Sequence, residues 1–109
     1  MTSKQRVCFM LQVKPDRLEE YRLRHAAVWP DMIDALQRTG WHNYSLFLTP
    51  RGDLIGYLET DDFQLAQTKM RAEPINQLWQ AEMRDFFVET GNKDPDQLMS
   101  PLDEVFHID

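Results

Sequence analysis

HNYSLFLTPRGDLIGYLET, residues 42–60, is the stretch that decides the fold. Its first part, 42–49, is rich in aromatic and branched residues. Pro50, Arg51, Gly52 and Asp53 then supply turn chemistry, and a second β-rich run follows over 54–60. Two short strands around a tight turn form an antiparallel β-hairpin. Alternation places His42, Tyr44, Leu46 and Leu48 on one face of its first strand and Asn43, Ser45 and Phe47 on the other.

Working outward, helices flank the hairpin on both sides. Upstream, Pro15 and Asp16 open a helix with Glu19 and Glu20 in its early turns, where carboxylates suit the orphan amides and the macrodipole. The pattern carries this helix to about Val28. Leu18, Tyr21, His25, Val28 and Trp29 fall within an arc of about 100°, the width of a core-facing stripe, so His25 is expected to point inward. Pro30 breaks the helix and starts a second segment, 31–39, ending at Gly40. Before it all, RVCFMLQV at 6–13 reads as a strand with Val7, Phe9, Leu11 and Val13 on one face and Cys8 and Met10 on the other. Downstream, Asp61 and Asp62 cap a helix over 63–72, and Pro74 opens another over 75–88 whose inner face is read as Ile75, Leu78, Trp79, Met83 and Phe86. A loop over 91–101 and a last short strand within 104–108 complete the order β-α-β-β-α-β. That is the ferredoxin-like split-βαβ pattern of an α+β domain, an antiparallel sheet with helices on one face, spanning 1–109 as a single unit. The first strand is apolar on both faces, so the second sheet face needs a cover of its own, and two such sheets packed face to face in a homodimer provide one.

Composition narrows the function. Hydrophobic residues make up 42% and charged residues 28%, which is enough apolar content to build a core. The net charge of −6 argues against nucleic acid, whose phosphates need a clustered basic surface. The apolar run over 7–11 is too brief for a signal-peptide core or a membrane span, which points to a cytoplasmic protein, and the single cysteine, Cys8, forms no internal disulfide and reads as a small buried thiol. No phosphate loop, HExxH or CxxC occurs. The three histidines, 25, 42 and 107, sit in separate elements without ligand spacing, so no metal site is expected.

Tyr21 and His25 are one helical turn apart on the inward face, where a phenol and an imidazole converge on one cavity between helix and sheet. Spacing alone leaves two readings open: a pair of core residues, each satisfied by a buried partner, or a proton-transfer site, for which histidine is suited near neutral pH. His42, Asn43 and Tyr44 make an unusually polar strand entrance, and Tyr44 either lines the same cavity or simply packs on a helix. Trp79, next to Gln80, is either core or a flat platform for the C–H face of a sugar.

Glu19-Glu20-Tyr21 with Arg24-His25, then Trp29-Pro30, then His42-Asn43-Tyr44, and the ending Leu102-x-Glu104-Val105-Phe106, taken in order, resemble the L-rhamnose mutarotases. These are small cytoplasmic enzymes with a dimeric ferredoxin-like α+β barrel. The resemblance implies that His25 is the proton donor, that Tyr21 and Tyr44 bind the substrate, and that Trp79 and Gln80 stand where the family presents two adjacent tryptophans to the sugar. It implies an isomerase that interconverts the α and β anomers of a 6-deoxy-hexopyranose, L-rhamnose first and L-fucose as the alternative. Ring opening and reclosure is redox-neutral acid–base chemistry, so no cofactor is implied. Two competing readings are a haem-handling or cofactor-free monooxygenase on the same α+β barrel, and a non-catalytic dimeric sugar-binding module.

Overall fold

The computed structural model describes residues 4–88 and 95–109. Three strands, β1 (Gln5–Gln12), β2 (His42–Leu48) and β3 (Asp53–Thr60), form an antiparallel sheet in the order β1-β3-β2. Four helices accompany it: α1 (Leu18–His25), α2 (Pro30–Arg38), α3 (Phe63–Arg71) and α4 (Pro74–Met83). Short 3-10 turns precede α1 at Pro15–Arg17 and follow α4 at Arg84–Phe86. The fold is α+β, with the helices packed against one face of the sheet.

Local chemistry accounts for most boundaries. At the hairpin, the Thr49 hydroxyl accepts the Asp53 N–H at 2.9 Å, and Gly52 takes the positive φ of 100° that the turn demands. Asp62 caps α3, its carboxylate accepting the Leu65 N–H at 3.1 Å. α2 begins on Pro30 and ends in a Schellman arrangement, where Gly40 at φ 99° lets the Trp41 N–H reach the Leu36 carbonyl at 2.9 Å. That turn sends Trp41 into the core, its indole N–H donating to the Ala66 carbonyl at 3.3 Å.

The inward face of β1 carries Val7, Phe9 and Leu11, all buried, in register with Leu58, Gly56 and Leu54 of β3, and Val13 just past its end is buried as well. Helix residues Tyr21, Met32, Ala35, Ala66, Met70, Trp79 and Met83 close over them. The outward face has no helix, and Met10 and Phe47 are more than half exposed there.

Six sequence expectations change. α1 ends at His25 instead of about Val28, because the chain turns through Ala26 and Ala27 before Pro30 restarts the helix. The helix expected to reach 88 stops at Met83 and tightens into the 3-10 turn, after which Val13 bridges Phe87 and the Val88 N–H bonds the Gln12 carbonyl at 2.9 Å. Leu78 is 61% exposed; the inner stripe is Asn76, Trp79, Gln80 and Met83. His42 leaves the Tyr44 face: a bulge between His42 and Ser45, with Asn43 at φ 47°, pairs His42 with Glu59 on the outward side. The last strand within 104–108 does not form. Only Pro101 bridges Phe9 and only the Leu102 N–H reaches the Cys8 carbonyl, on the free edge of β1. Beyond that contact Val105, Phe106 and Ile108 are exposed, so pairing along the β1 edge gains no apolar burial at these positions. Of the expected loop, 95–98 is a 3-10 turn and 91–94 lies outside the described residues.

Candidate active site

A cavity of about 510 Å³ opens between α1, α2, α4 and the inward face of the sheet. It is within the range of about 300–1,000 Å³ usual for small-ligand pockets. Tyr21 and His25 from α1, Tyr44 from β2, and Trp79 and Gln80 from α4 all line it. All five candidate residues are therefore brought together, from three elements distant in sequence.

The i, i+4 spacing of Tyr21 and His25 stacks their rings at 4.1 Å with planes 28° apart. Tyr21 is wedged edge-on against Phe86 and Phe87, each 5.8 Å away, at the point where the chain leaving α4 pairs with the end of β1. His25 Nδ1 lies 3.0 Å from the backbone carbonyl oxygen of Tyr21. Trp79 meets the His25 ring nearly at right angles, with centroids 5.5 Å apart, and Trp29 packs edge-on against Trp79 at 4.9 Å. Tyr44 stands between Trp41 at 5.2 Å and Phe9 at 6.4 Å. The bulge before it, held by the Asn43 amide on the Glu59 carboxylate at 3.3 Å, sets its register.

Among the described residues that line the cavity none is charged. Burial pushes both phenols above their ordinary range, and at Tyr21 the nearby Tyr44 phenol adds to the rise, so both hydroxyls stay protonated and able to donate. Burial also lowers the His25 pKa below its ordinary value, partly offset by the bond to the Tyr21 carbonyl. The imidazole is then neutral at pH 7. Glu82, which approaches from α4, is engaged by Arg24 at 3.0 Å.

Sequence reasoning missed Asn76. Its amide donates to the Met70 carbonyl at 3.1 Å and accepts from Gln80 Nε2 at 3.1 Å, which makes a buried amide ladder along the cavity wall. Buried amides persist where they are hydrogen-bonded, and this pairing turns α4 so that Leu78 faces out. The i, i+4 spacing of Asn76 and Gln80 beside Trp79 was the available signal. His42 and His107 are remote from the cavity; His107 bonds the Asp109 carboxylate at 2.9 Å in the exposed C-terminal segment.

Fold and cavity together define a small α+β protein whose pocket is lined by one imidazole, two phenols and, among the described residues, no charged side chain. A family model described as L-rhamnose mutarotase matches residues 6–108. The L-rhamnose mutarotase of Oceanobacillus iheyensis is 39% identical over 102 residues, covering 93% of this chain and 95% of that protein. That of Bacillus subtilis is 37% identical over 98 residues, covering 89% and 91%. The solved structure of L-rhamnose mutarotase from Formosa agariphila shares the fold, with a TM-score of 0.76 at 23% identity over 96% of this chain and 99% of that one. The chain belongs to the L-rhamnose mutarotase family and is an isomerase. The monooxygenase and binding-module readings give way to it.

Proposed function

We propose that the cavity holds the pyranose form of L-rhamnose and that His25 is the proton donor to its ring oxygen. Tyr21 and Tyr44 orient hydroxyls through their protonated phenols, and Trp79 lies against the apolar C–H face of the sugar. Gln80 adds an amide where the family presents a second tryptophan. The observation that carries this reading is the convergence of these five residues on one cavity lined by no charged group among the described residues. A neutral sugar loses little by leaving water for such a site if its hydroxyls are hydrogen-bonded there. Saturation-transfer NMR between the anomeric protons of L-rhamnose tests it directly: wild-type protein is expected to exchange them faster than buffer, and exchange at the buffer rate would overturn the assignment.

The amide at Gln80 bears on which 6-deoxy sugar is preferred. Gln80→Trp removes the partner of Asn76 and adds an indole face, and is expected to change the ratio of exchange rates for L-rhamnose and L-fucose measured in the same assay. An unchanged ratio would remove Gln80 from specificity.

We also infer that the working unit is a homodimer of ferredoxin-like domains, each spanning 1–109, joined sheet to sheet as a dimeric α+β barrel. Exposed Met10 and Phe47 on the outward face, and exposed Val105, Phe106 and Ile108 in the chain that follows the β1 edge, support this reading. Phe47→Asp is expected to convert dimer to monomer in light scattering; an unchanged mass would place the interface elsewhere. Among the described residues no helix is long and apolar enough to cross a membrane. The lone, unpaired Cys8 fits a reducing cytoplasm.

A further inference from the structure

Of the two ring nitrogens of His25, one is already committed. Nδ1 lies 3.0 Å from the Tyr21 carbonyl oxygen, and a carbonyl can only accept, so the hydrogen of the neutral imidazole is on Nδ1. Nε2 then carries a lone pair, and it makes no hydrogen bond to a described residue. The ring is held in this orientation from two sides, by the stacked Tyr21 phenol at 4.1 Å and by the Trp79 indole standing across it at 5.5 Å. Turning the ring over to exchange its nitrogens would break the carbonyl bond inside that packing. At rest, Nε2 is the nitrogen offered to a ligand in the cavity, and it is a base.

The groups around it leave it so. On α1 the facing titratable group is the Tyr21 phenol, and from β2 the Tyr44 phenol, both kept neutral by burial. From α4 comes the indole of Trp79, while Glu82 of the same helix is not among the lining residues and is held in an ion pair with Arg24. No carboxylate among the described residues lines the cavity to serve as a separate base.

We propose that His25 supplies both halves of the proton exchange: its bare Nε2 first takes the proton of the anomeric hydroxyl, and the same nitrogen then delivers that proton to the ring oxygen. The backbone carbonyl of Tyr21 is the positioning group: it holds the hydrogen of the neutral imidazole on Nδ1, so that the lone pair is on Nε2 between turnovers. This inference rests on the reading of the cavity as the mutarotation site. The electrons balance without another reactant. As the O–H bond of the anomeric hydroxyl breaks, its electron pair forms the C1=O1 double bond; the C1–O5 bond breaks with its pair going to O5; O5 takes the proton from Nε2, and the imidazole returns to its starting form. Because O1 and O5 hang on the same carbon, one nitrogen reaches both. The open aldehyde rotates about C1–C2, and the same steps run backwards on its other face.

Two measurements on wild-type protein test this. Nitrogen-15 NMR of labelled imidazole is expected to show His25 with Nδ1 protonated and Nε2 bare, and to give its pKa on the acid side of the ordinary 6.5. The kcat/KM for L-rhamnose exchange is expected to be level above that pKa and to fall about tenfold per pH unit below it, since protonation of Nε2 removes the base. An enzyme that needs imidazolium at the outset, with solvent as its base, shows the opposite limb, falling as pH rises; that limb, or an Nε2–H tautomer, would overturn the shuttle while leaving His25 as donor. Wild-type exchange rates in His25→Ala would overturn the shuttle and any role of His25, whereas wild-type protein that exchanges the anomers no faster than buffer would overturn the cavity assignment itself.

Discussion

His25→Ala should lower kcat/KM for anomer exchange by about 10²–10⁴-fold, the usual contribution of one positioned acid–base group. The other titratable side chains that line the described cavity are two phenols whose pKa values burial has raised, so neither takes over a proton at neutral pH. Sugar binding is expected to survive within several-fold, because Tyr44 and the Asn76–Gln80 ladder are held by contacts that do not involve the imidazole, and Trp79 keeps its packing on Trp29 when the His25 ring is lost. Folding is expected to survive as well: His25 is the last residue of α1, is only half-buried, and alanine is a better helix former. Saturation transfer measures the rate, ligand titration the affinity, and thermal unfolding checks the fold. Loss of exchange with an unchanged melt and retained binding is the expected combination; retained exchange would clear His25 of any role.

Phe9→Ala is expected to cost about 3–5 kcal/mol of stability, the range for deleting a buried phenyl ring. A domain of this size has about 5–15 kcal/mol in total, so this one change removes a large share. Phe9 is fully buried midway along β1 and sits directly across from Gly56 of the central strand β3. The absence of a side chain at Gly56 is what admits the ring: a Cβ there would fall within 2.6 and 2.7 Å of the Phe9 Cε2 and Cε1 atoms. Gly56→Ala in the wild-type background is therefore expected to destabilise by about 1–3 kcal/mol through overpacking. In the Phe9→Ala background the same methyl enters the space the ring has left, and the penalty should vanish or change sign. Urea unfolding of the four proteins of the cycle gives the coupling, and simple additivity would mean that the ring avoids the methyl at no cost. Because Phe9 also packs on Tyr44 and lines the cavity, its loss is expected to raise KM for the sugar.

Several site features were readable before folding was considered. Tyr21 and His25 stack because residues four apart on a helix must meet, and the capping and turn roles of Asp62, Gly40 and Gly52 follow from backbone geometry at single positions. The departures share one cause. Asn76 and Gln80 belong to the inner face of α4 because they find each other and the Met70 carbonyl, and a stripe drawn from hydropathy assigns that place to Leu78 instead. The bulge that sends His42 outward depends on pairing with β3, where the Asn43 amide reaches Glu59.

The order of elements as far as α4, the hairpin, and the turn of helix that joins a phenol to an imidazole were determined by the sequence itself, because each depends on residues within a few positions of one another. The cavity, the neutral environment that keeps Nε2 of His25 unprotonated, and the register of Tyr44 were decided only by tertiary structure. Desolvation and cross-strand pairing exist only once α1, β2 and α4, far apart along the chain, close on a single space.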